Sequence, residues 1–234
     1  MARIAKNDSD NRCAIKGLAQ GLALSALLFV AALVMPDHAR ADAFAEGARM
    51  FVGQMTKDVT ASLTDGSVPR PERVERMRDL LDRYFAVKAI GQWVLGRHWR
   101  RADESQRTEY LELFENLIIY TYVDRFTEYE GDGEALKVSG STDLKAGKEV
   151  MVHTAFQGGK GEPVVVDWRV KARGESYGIV DVMVAGISMG QTQRSDFNSA
   201  IRKNGGQVPA FLADLRSLVE KAKNAKNDPQ TAQP

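Results

Sequence analysis

From Phe44 to Leu63 apolar residues recur at helical spacing, at Phe44, Ala48, Phe51, Met55, Val59 and Leu63, which predicts an amphipathic helix with one buried face. The stretch Asp65 to Pro69 reads as a turn, and Pro71 suits the start of a second helix carrying Val74, Met77, Leu80, Leu81 and Tyr84. A short third helix covers Val87 to Leu95. Asp103 and Gln106 have capping-box spacing and open the longest helix, whose wide stripe is Tyr110, Leu113, Phe114, Leu117, Ile118, Thr121, Tyr122 and Phe126. The run Glu130 to Gly133 ends it.

Beyond Gly133 the period changes from about four to two. Leu136 and Val138 alternate with polar neighbours; Val150 to Phe156, Val164 to Ala172 and Tyr177 to Ala185 follow as three more strands. The joins at Ala146-Gly147, Gly158 to Gly161 and Arg173 to Glu175 are short and contain glycine, so they predict hairpins. Two amphipathic helices close the chain, at about Gln191 to Asn204 and Pro209 to Lys221. Helices, then sheet, then helices predict an α+β fold: an antiparallel four-stranded meander sheet packed against an N-terminal helical bundle and two C-terminal helices.

The residues before this pattern read as a targeting segment. Arg3, Lys6, Arg12 and Lys16 make a basic region, Leu18 to Met35 is uncharged and mostly apolar, and Ala39-Arg40-Ala41 has the small-x-small form of a signal-peptidase site. Residues 1–41 are therefore expected to be a cleaved signal peptide, residues 42–222 one domain, and residues 223–234 a polar disordered tail. The alternative is a retained anchor, because eighteen apolar residues are about long enough to span a bilayer. The sole cysteine, Cys13, lies inside the leader, so the exported domain has neither disulfide nor thiol nucleophile. The leader holds five basic and three acidic residues of the chain's 32 and 31, which leaves 27 and 28 and a net charge of −1. That balance argues against a nucleic-acid partner.

Candidate chemistry is sparse. Gly186-Ile187-Ser188-Met189-Gly190 spells the G-x-S-x-G nucleophile elbow of serine hydrolases. All three histidines, His38, His98 and His153, precede Ser188, whereas that fold places the general base after the serine and needs a parallel sheet. The plainer reading is a tight corner with Ser188 capping the next helix. His98, among Arg97, Arg100 and Arg101, reads as an exposed polar residue; His153 reads as a hydrogen-bonded sheet histidine. No metal-ligand spacing, phosphate loop or dinucleotide fingerprint is present, and no enzyme is expected. What remains is more apolar surface than one stripe explains, with Leu111, Ile119 and Val123 on the long helix and Met151 and Val165 on the strands. Either a solid core or an apolar ligand cleft accommodates it.

The run from Phe85 through Trp99-Arg100, then Phe114 and Thr121-Tyr122, then Asp181 to Ser188 with Arg194-Ser195-Asp196-Phe197 resembles the MlaC family, also called toluene-tolerance auxiliary proteins. The resemblance covers essentially the whole exported chain. It departs at Tyr177-Gly178, where the family often has tryptophan and a basic residue, and at His98, where an aromatic is usual. It implies a soluble periplasmic carrier without a cofactor. Its cargo would be glycerophospholipid, its partners an outer-membrane lipoprotein complex and an inner-membrane ABC transporter complex, and its role the maintenance of outer-membrane lipid asymmetry. The acyl tails would lie in an apolar pocket between sheet and helices. Helical phase and strand parity then nominate Phe114, Ile118, Tyr122, Phe126, Val152, Val166, Trp168 and Val184 as lining, and Trp99, from the run that carries the resemblance, joins them as a lipid-binding candidate. Arg97, Arg100 and Arg101 are candidates for a headgroup or partner contact. Other readings are a carrier of a hopanoid or other isoprenoid-type lipid, a docking module without ligand, and a serine hydrolase using Ser188.

Overall fold

The computed structural model describes residues 37–128, 136–156, 163–174 and 176–225. In chain order these form α1 (Asp37–Leu63), α2 (Arg70–Tyr84), α3 (Val87–Leu95), a 3-10 turn (Gly96–Arg100), α4 (Glu104–Tyr122), a second 3-10 turn (Arg125–Glu128), β1 (Leu136–Lys145), β2 (Glu149–Phe156), β3 (Val164–Arg173), β4 (Ser176–Val184), β5 (Ile187–Ser188), α5 (Met189–Lys203) and α6 (Val208–Asn224). The expected α+β order is present. A two-residue strand, β5, extends the four-stranded meander by one hairpin, so the spatial order is β1-β2-β3-β4-β5, antiparallel throughout. The compact unit begins at Ala41.

Local chemistry sets the element ends. Asp65 closes the turn after α1 by accepting from the Ser67 amide, 2.9 Å, and Ser67 hydroxyl, 2.6 Å. Pro lies in the first turn of α2, where a missing N–H costs nothing. Asp103 caps α4 as expected: the Gln106 amide donates to Oδ1 at 2.9 Å and the Gln106 side chain returns to the Asp103 amide. α6 continues to Asn224, two residues past the expected end of the domain, with Lys221 and Lys223 favourably placed in its last turn. The long helix ends at Tyr122, before the expected stop at Glu130 to Gly133, and Phe126 falls in the 3-10 turn that follows; that stop and the Gly158 to Gly161 join lie outside the described residues.

Two buried clusters share α4. One fills the space between α1, α2, the C-terminal half of α4 and the inner face of the sheet; Ala48, Val52, Leu63, Ile119, Val123, Val150, Val152, Val170 and Ile179 are fully buried in it. The other contains no strand residue and joins α3, α4, α5 and α6 around Tyr110, Phe114, Phe197 and Phe211. Its rings pack edge-on and stacked, with Phe197 and Phe211 centroids 5.0 Å apart and Tyr110 and Phe114 5.8 Å apart. The Tyr110 hydroxyl donates to the Gly91 carbonyl at 2.9 Å, and burial pushes its pKa up. The junction between α2 and α3 ties this helical half to the sheet: Phe85 forms a parallel bridge with Ile179, and the Ala86 amide donates to the Ile179 carbonyl at 2.9 Å.

Candidate functional site

The layer between α1 and the inner sheet face is apolar on both sides. Antiparallel register aligns Val152, Trp168 and Val182 in one cross-strand row and Val150, Val170 and Ile179 in the next. The Trp168 indole donates to Thr154 Oγ1 at 3.0 Å, and that hydroxyl donates to the Val166 carbonyl at 2.7 Å. The ring's one polar edge is therefore satisfied within the sheet, leaving its faces to apolar neighbours such as Phe85, 6.4 Å between centroids.

α1 lies over this face through small residues. A Cβ at Gly47 would stand 1.9 Å from the Tyr177 hydroxyl, so any larger residue there would force the tip of the Tyr177 side chain to move. Phe44 and Phe51, seven residues apart on one helical face, pack on Tyr177 at 5.2 and 5.6 Å; Phe51 also meets Tyr84 at 5.2 Å. Polar contacts pin α1 at both ends of the layer. Arg49 Nη1 donates to Ser141 Oγ at 2.7 Å, while Asp58 accepts from the Tyr84 hydroxyl at 2.6 Å and Arg83 at 2.9 Å. The Tyr84 hydrogen bond holds the Asp58 carboxyl below its usual range despite opposing desolvation.

The chain's own side chains fill the centre of this layer, and around it runs a rim of half-buried apolar residues that includes Phe44, Phe51, Val138, Val166, Tyr177 and Val182. The sequence left open a solid core or a cleft; the described residues make a filled centre with a partly exposed margin. A shallow depression at the start of α4, lined by Glu104, Ser105, Thr108, Glu109 and Glu112, is polar and shares no residue with either cluster.

The nominated lining residues divide between the two clusters. Val152 and Trp168 are buried in the sheet-facing cluster; Val166, Phe126 and Ile118 pack against it, Ile118 touching the second cluster as well. Val184 is half-buried and pairs with Val166 across β3 and β4. Phe114 lies in the helical cluster, and Trp99 packs against that cluster with the Arg107 guanidinium 5.4 Å above its ring. Tyr122 is 39% exposed and lies beneath Arg125. The residues of α4 and its C-cap that are fully buried in the sheet-facing cluster are Ile119 and Val123, with Ile118 packed against it. Sequence reasoning also omitted Phe44, Phe51, Phe85 and Tyr177 from the site. The first two were legible as one face of α1, but nothing local says which layer that face covers.

Ser188 caps α5, accepting from the Gln191 amide at 3.0 Å, and donates to Asp181 Oδ2 at 2.6 Å. Asp181 Oδ1 also accepts from the Gly190 and Val182 amides, so the G-x-S-x-G corner is closed by a carboxylate. Neither His98 nor His153 is its partner. His153 bridges Asp167 and Thr142, each at 2.8 Å, on the outer face of the sheet, as a sheet histidine should. His98 corrects the expectation of exposure: it is 2% exposed, because Leu95, His98 and Ala102 share the buried phase of the turn after α3. Arg97, Arg100 and Arg101 are exposed around it. Among the described residues no group of three or more His, Cys, Asp or Glu is placed to hold a metal ion, and no helix is long and apolar enough to cross a membrane.

Residues 53–217 match the family model described as MlaC protein. The toluene tolerance protein ttg2D of Pseudomonas putida is 25% identical over 132 residues, which span 56% of this chain and 60% of that relative's length. A solved structure of a phospholipid-binding protein from Ralstonia solanacearum, in complex with a phospholipid, superposes with a TM-score of 0.65 at 21% identity, over 75% of this chain and 98% of that one. The fold is shared.

Proposed function

The chain belongs to the MlaC family, and from that premise we propose that it is a periplasmic carrier of glycerophospholipid, moving lipid between an outer-membrane lipoprotein complex and an inner-membrane ABC transporter complex to maintain outer-membrane lipid asymmetry. The observation that carries this reading is the apolar layer between α1 and the inner sheet face, in a fold shared with a protein solved around a phospholipid. Residues 1–41 act as the export signal, consistent with a compact unit that begins at Ala41. Val152, Val166, Trp168, Val184, Ile118 and Phe126 contact acyl chains, with Tyr122 at the margin; Trp99 and Phe114 support the layer from the helical cluster. No cofactor or catalytic step is required.

The energetics suit a shuttle. At about 0.8 kcal/mol per buried methylene, two tails in water would cost well over ~20 kcal/mol, so transit needs an apolar shelter. Moving tails from bilayer to protein exchanges one apolar medium for another, and the net transfer is therefore small and reversible. Organic extraction of natively purified protein followed by mass spectrometry tests the reading. Glycerophospholipid is expected; a hopanoid or other isoprenoid would reassign the cargo, and an empty extract from well-folded protein would refute carriage. Ile118→Glu and Val166→Glu place a charge in the layer and are expected to abolish co-purified lipid while near-UV circular dichroism reports a folded protein. Undiminished lipid in both variants would remove these residues from the site.

A further inference from the structure

From Arg83 to Ala102 the chain carries Arg83, Lys88, Arg97, Arg100 and Arg101 and not one Asp or Glu, in a protein whose charges otherwise nearly balance. The fold turns most of this run into one ridge. Helix α3 and the 3-10 turn bury Gly91, Val94, Leu95 and His98 and leave Lys88, Trp93, Arg97 and Arg100 exposed, with Arg101 following. The helix breaks at Gly96, at positive φ, and the 3-10 turn then sets Arg97 and Arg101 around the buried His98, whose pKa both lower. Trp93 is 44% exposed, and the Arg194 guanidinium of α5 lies 4.9 Å from its ring centre while donating to the Trp93 carbonyl at 2.9 Å. A Cβ at Gly96 would come within 3.2 Å of Arg194 Nη2, and one at Gly190 within 3.1 Å of the Trp93 ring, so the arginine, the indole and the turn are contiguous. Among the described residues no carboxylate forms an ion pair with Lys88, Arg97, Arg100, Arg101 or Arg194.

We propose that this ridge is a docking surface for an anionic phospholipid bilayer, with the cations over the phosphates and Trp93 at headgroup depth. Charge complementarity selects an anionic occupant, since five cations, none of them neutralised by an ion pair among the described residues, attract one at long range even with Asp103, Glu104 and Asp181 nearby. The composition then favours a lipid surface over a folded protein face. A packed protein interface centres on a cluster of apolar and aromatic anchors, whereas Trp93 is the one exposed large apolar side chain on this ridge. A lone tryptophan flanked by arginines is the pattern of residues resident at a membrane–water boundary. The inference stands apart from the cargo reading, because it concerns the outside of the helical half and not the layer under the sheet.

Co-sedimentation with vesicles of phosphatidylcholine, with and without one part in four of phosphatidylglycerol, tests it. The purified protein is expected to bind the anionic vesicles at low salt, to leave them at high salt, and to ignore pure phosphatidylcholine. Each of Arg97→Gln, Arg100→Gln and Arg101→Gln should weaken partitioning roughly fivefold, and the triple variant should lose it while its unfolding midpoint stays near that of the parent. Trp93→Phe should remove a blue shift of tryptophan fluorescence seen on binding. Lys57→Gln, an exposed lysine on α1, should change nothing. Absence of binding to anionic vesicles, retention of binding in the triple variant, or an equal loss in Lys57→Gln would each overturn the proposal. So would binding of an acidic protein at the ridge by a chain that leaves vesicles untouched. Co-purified lipid in the triple variant reports separately on the cargo site and is expected to be unchanged.

Discussion

Ser188 has the sequence neighbourhood of a nucleophile and the bonding of a structural cap. Its hydroxyl donates to Asp181 and accepts from the Gln191 amide, so it holds the first turn of α5 against β4. Ala185 and Gly186, both at positive φ, make the tight turn that brings the serine back to Asp181. Loss of an N-cap hydroxyl costs about 0.5–2 kcal/mol. Ser188→Ala is accordingly expected to lower stability by about 1 kcal/mol in chemical denaturation while lipid content is retained. Labelling of the parent by a fluorophosphonate probe would contradict this role. The motif was legible in the sequence, and so was its lack of a downstream histidine. The carboxylate that replaces the base was not, because only the β4–β5 hairpin returns Ser188 to Asp181.

At the scale of elements, α1 covers the apolar layer, and under the proposed function its position governs access to it. Its Arg49 donates to Ser141 of β1, and Gly47 and Gly53 face Tyr177 and Val138; the residues at the centre beneath it are fully buried, so the proposed carriage requires acyl chains to enter where α1 and the sheet separate. A Cβ at Gly53 would lie 4.0 Å from a Val138 methyl carbon, so cysteines at the two positions face each other across α1 and β1 and close into a disulfide with a small inward shift. No cysteine follows Cys13 to interfere. In the double variant Gly53→Cys/Val138→Cys, oxidation is expected to slow uptake of a fluorescent phospholipid at least tenfold, and reduction to restore it. Equal uptake in both redox states, with the cross-link verified by mass, would show that α1 does not gate the layer. Most elements were legible to within about three residues, α3 at Val87 to Leu95 included, but α1 begins at Asp37 instead of Phe44, the long helix ends at Tyr122 with Phe126 in a 3-10 turn, and β5 was not anticipated. Periodicity reports which residues of a helix are apolar, but a stripe as broad as that of α4 does not reveal which part faces which neighbour. Phe114 went to the helical cluster and Ile119 to the sheet for that reason.

Across the whole molecule, two cores share one helix, and the buried polar groups at their edges couple stability to pH. Burial, reinforced by Arg97 and Arg101, lowers the pKa of His98 below its ordinary 6.5. The folded protein thus holds the ring neutral where the unfolded chain would take a proton, so the unfolded state binds more protons below about pH 6.5 and stability falls as the pH drops through that value. Thermal unfolding is expected to shift to lower temperature between pH 7.5 and 5.5, ahead of any carboxylate titration, with a shallower slope in His98→Gln. An identical slope in parent and variant would clear His98 of this role. Alternation, helical phase and capping residues are local properties of the chain, and they determined the order of elements, the antiparallel meander, the caps at Asp103 and Ser188 and the apolar excess. The division of that excess between two clusters, the burial of His98 and the basic ridge beside Trp93 were decided by packing, because each joins residues far apart in the chain whose proximity no local pattern encodes.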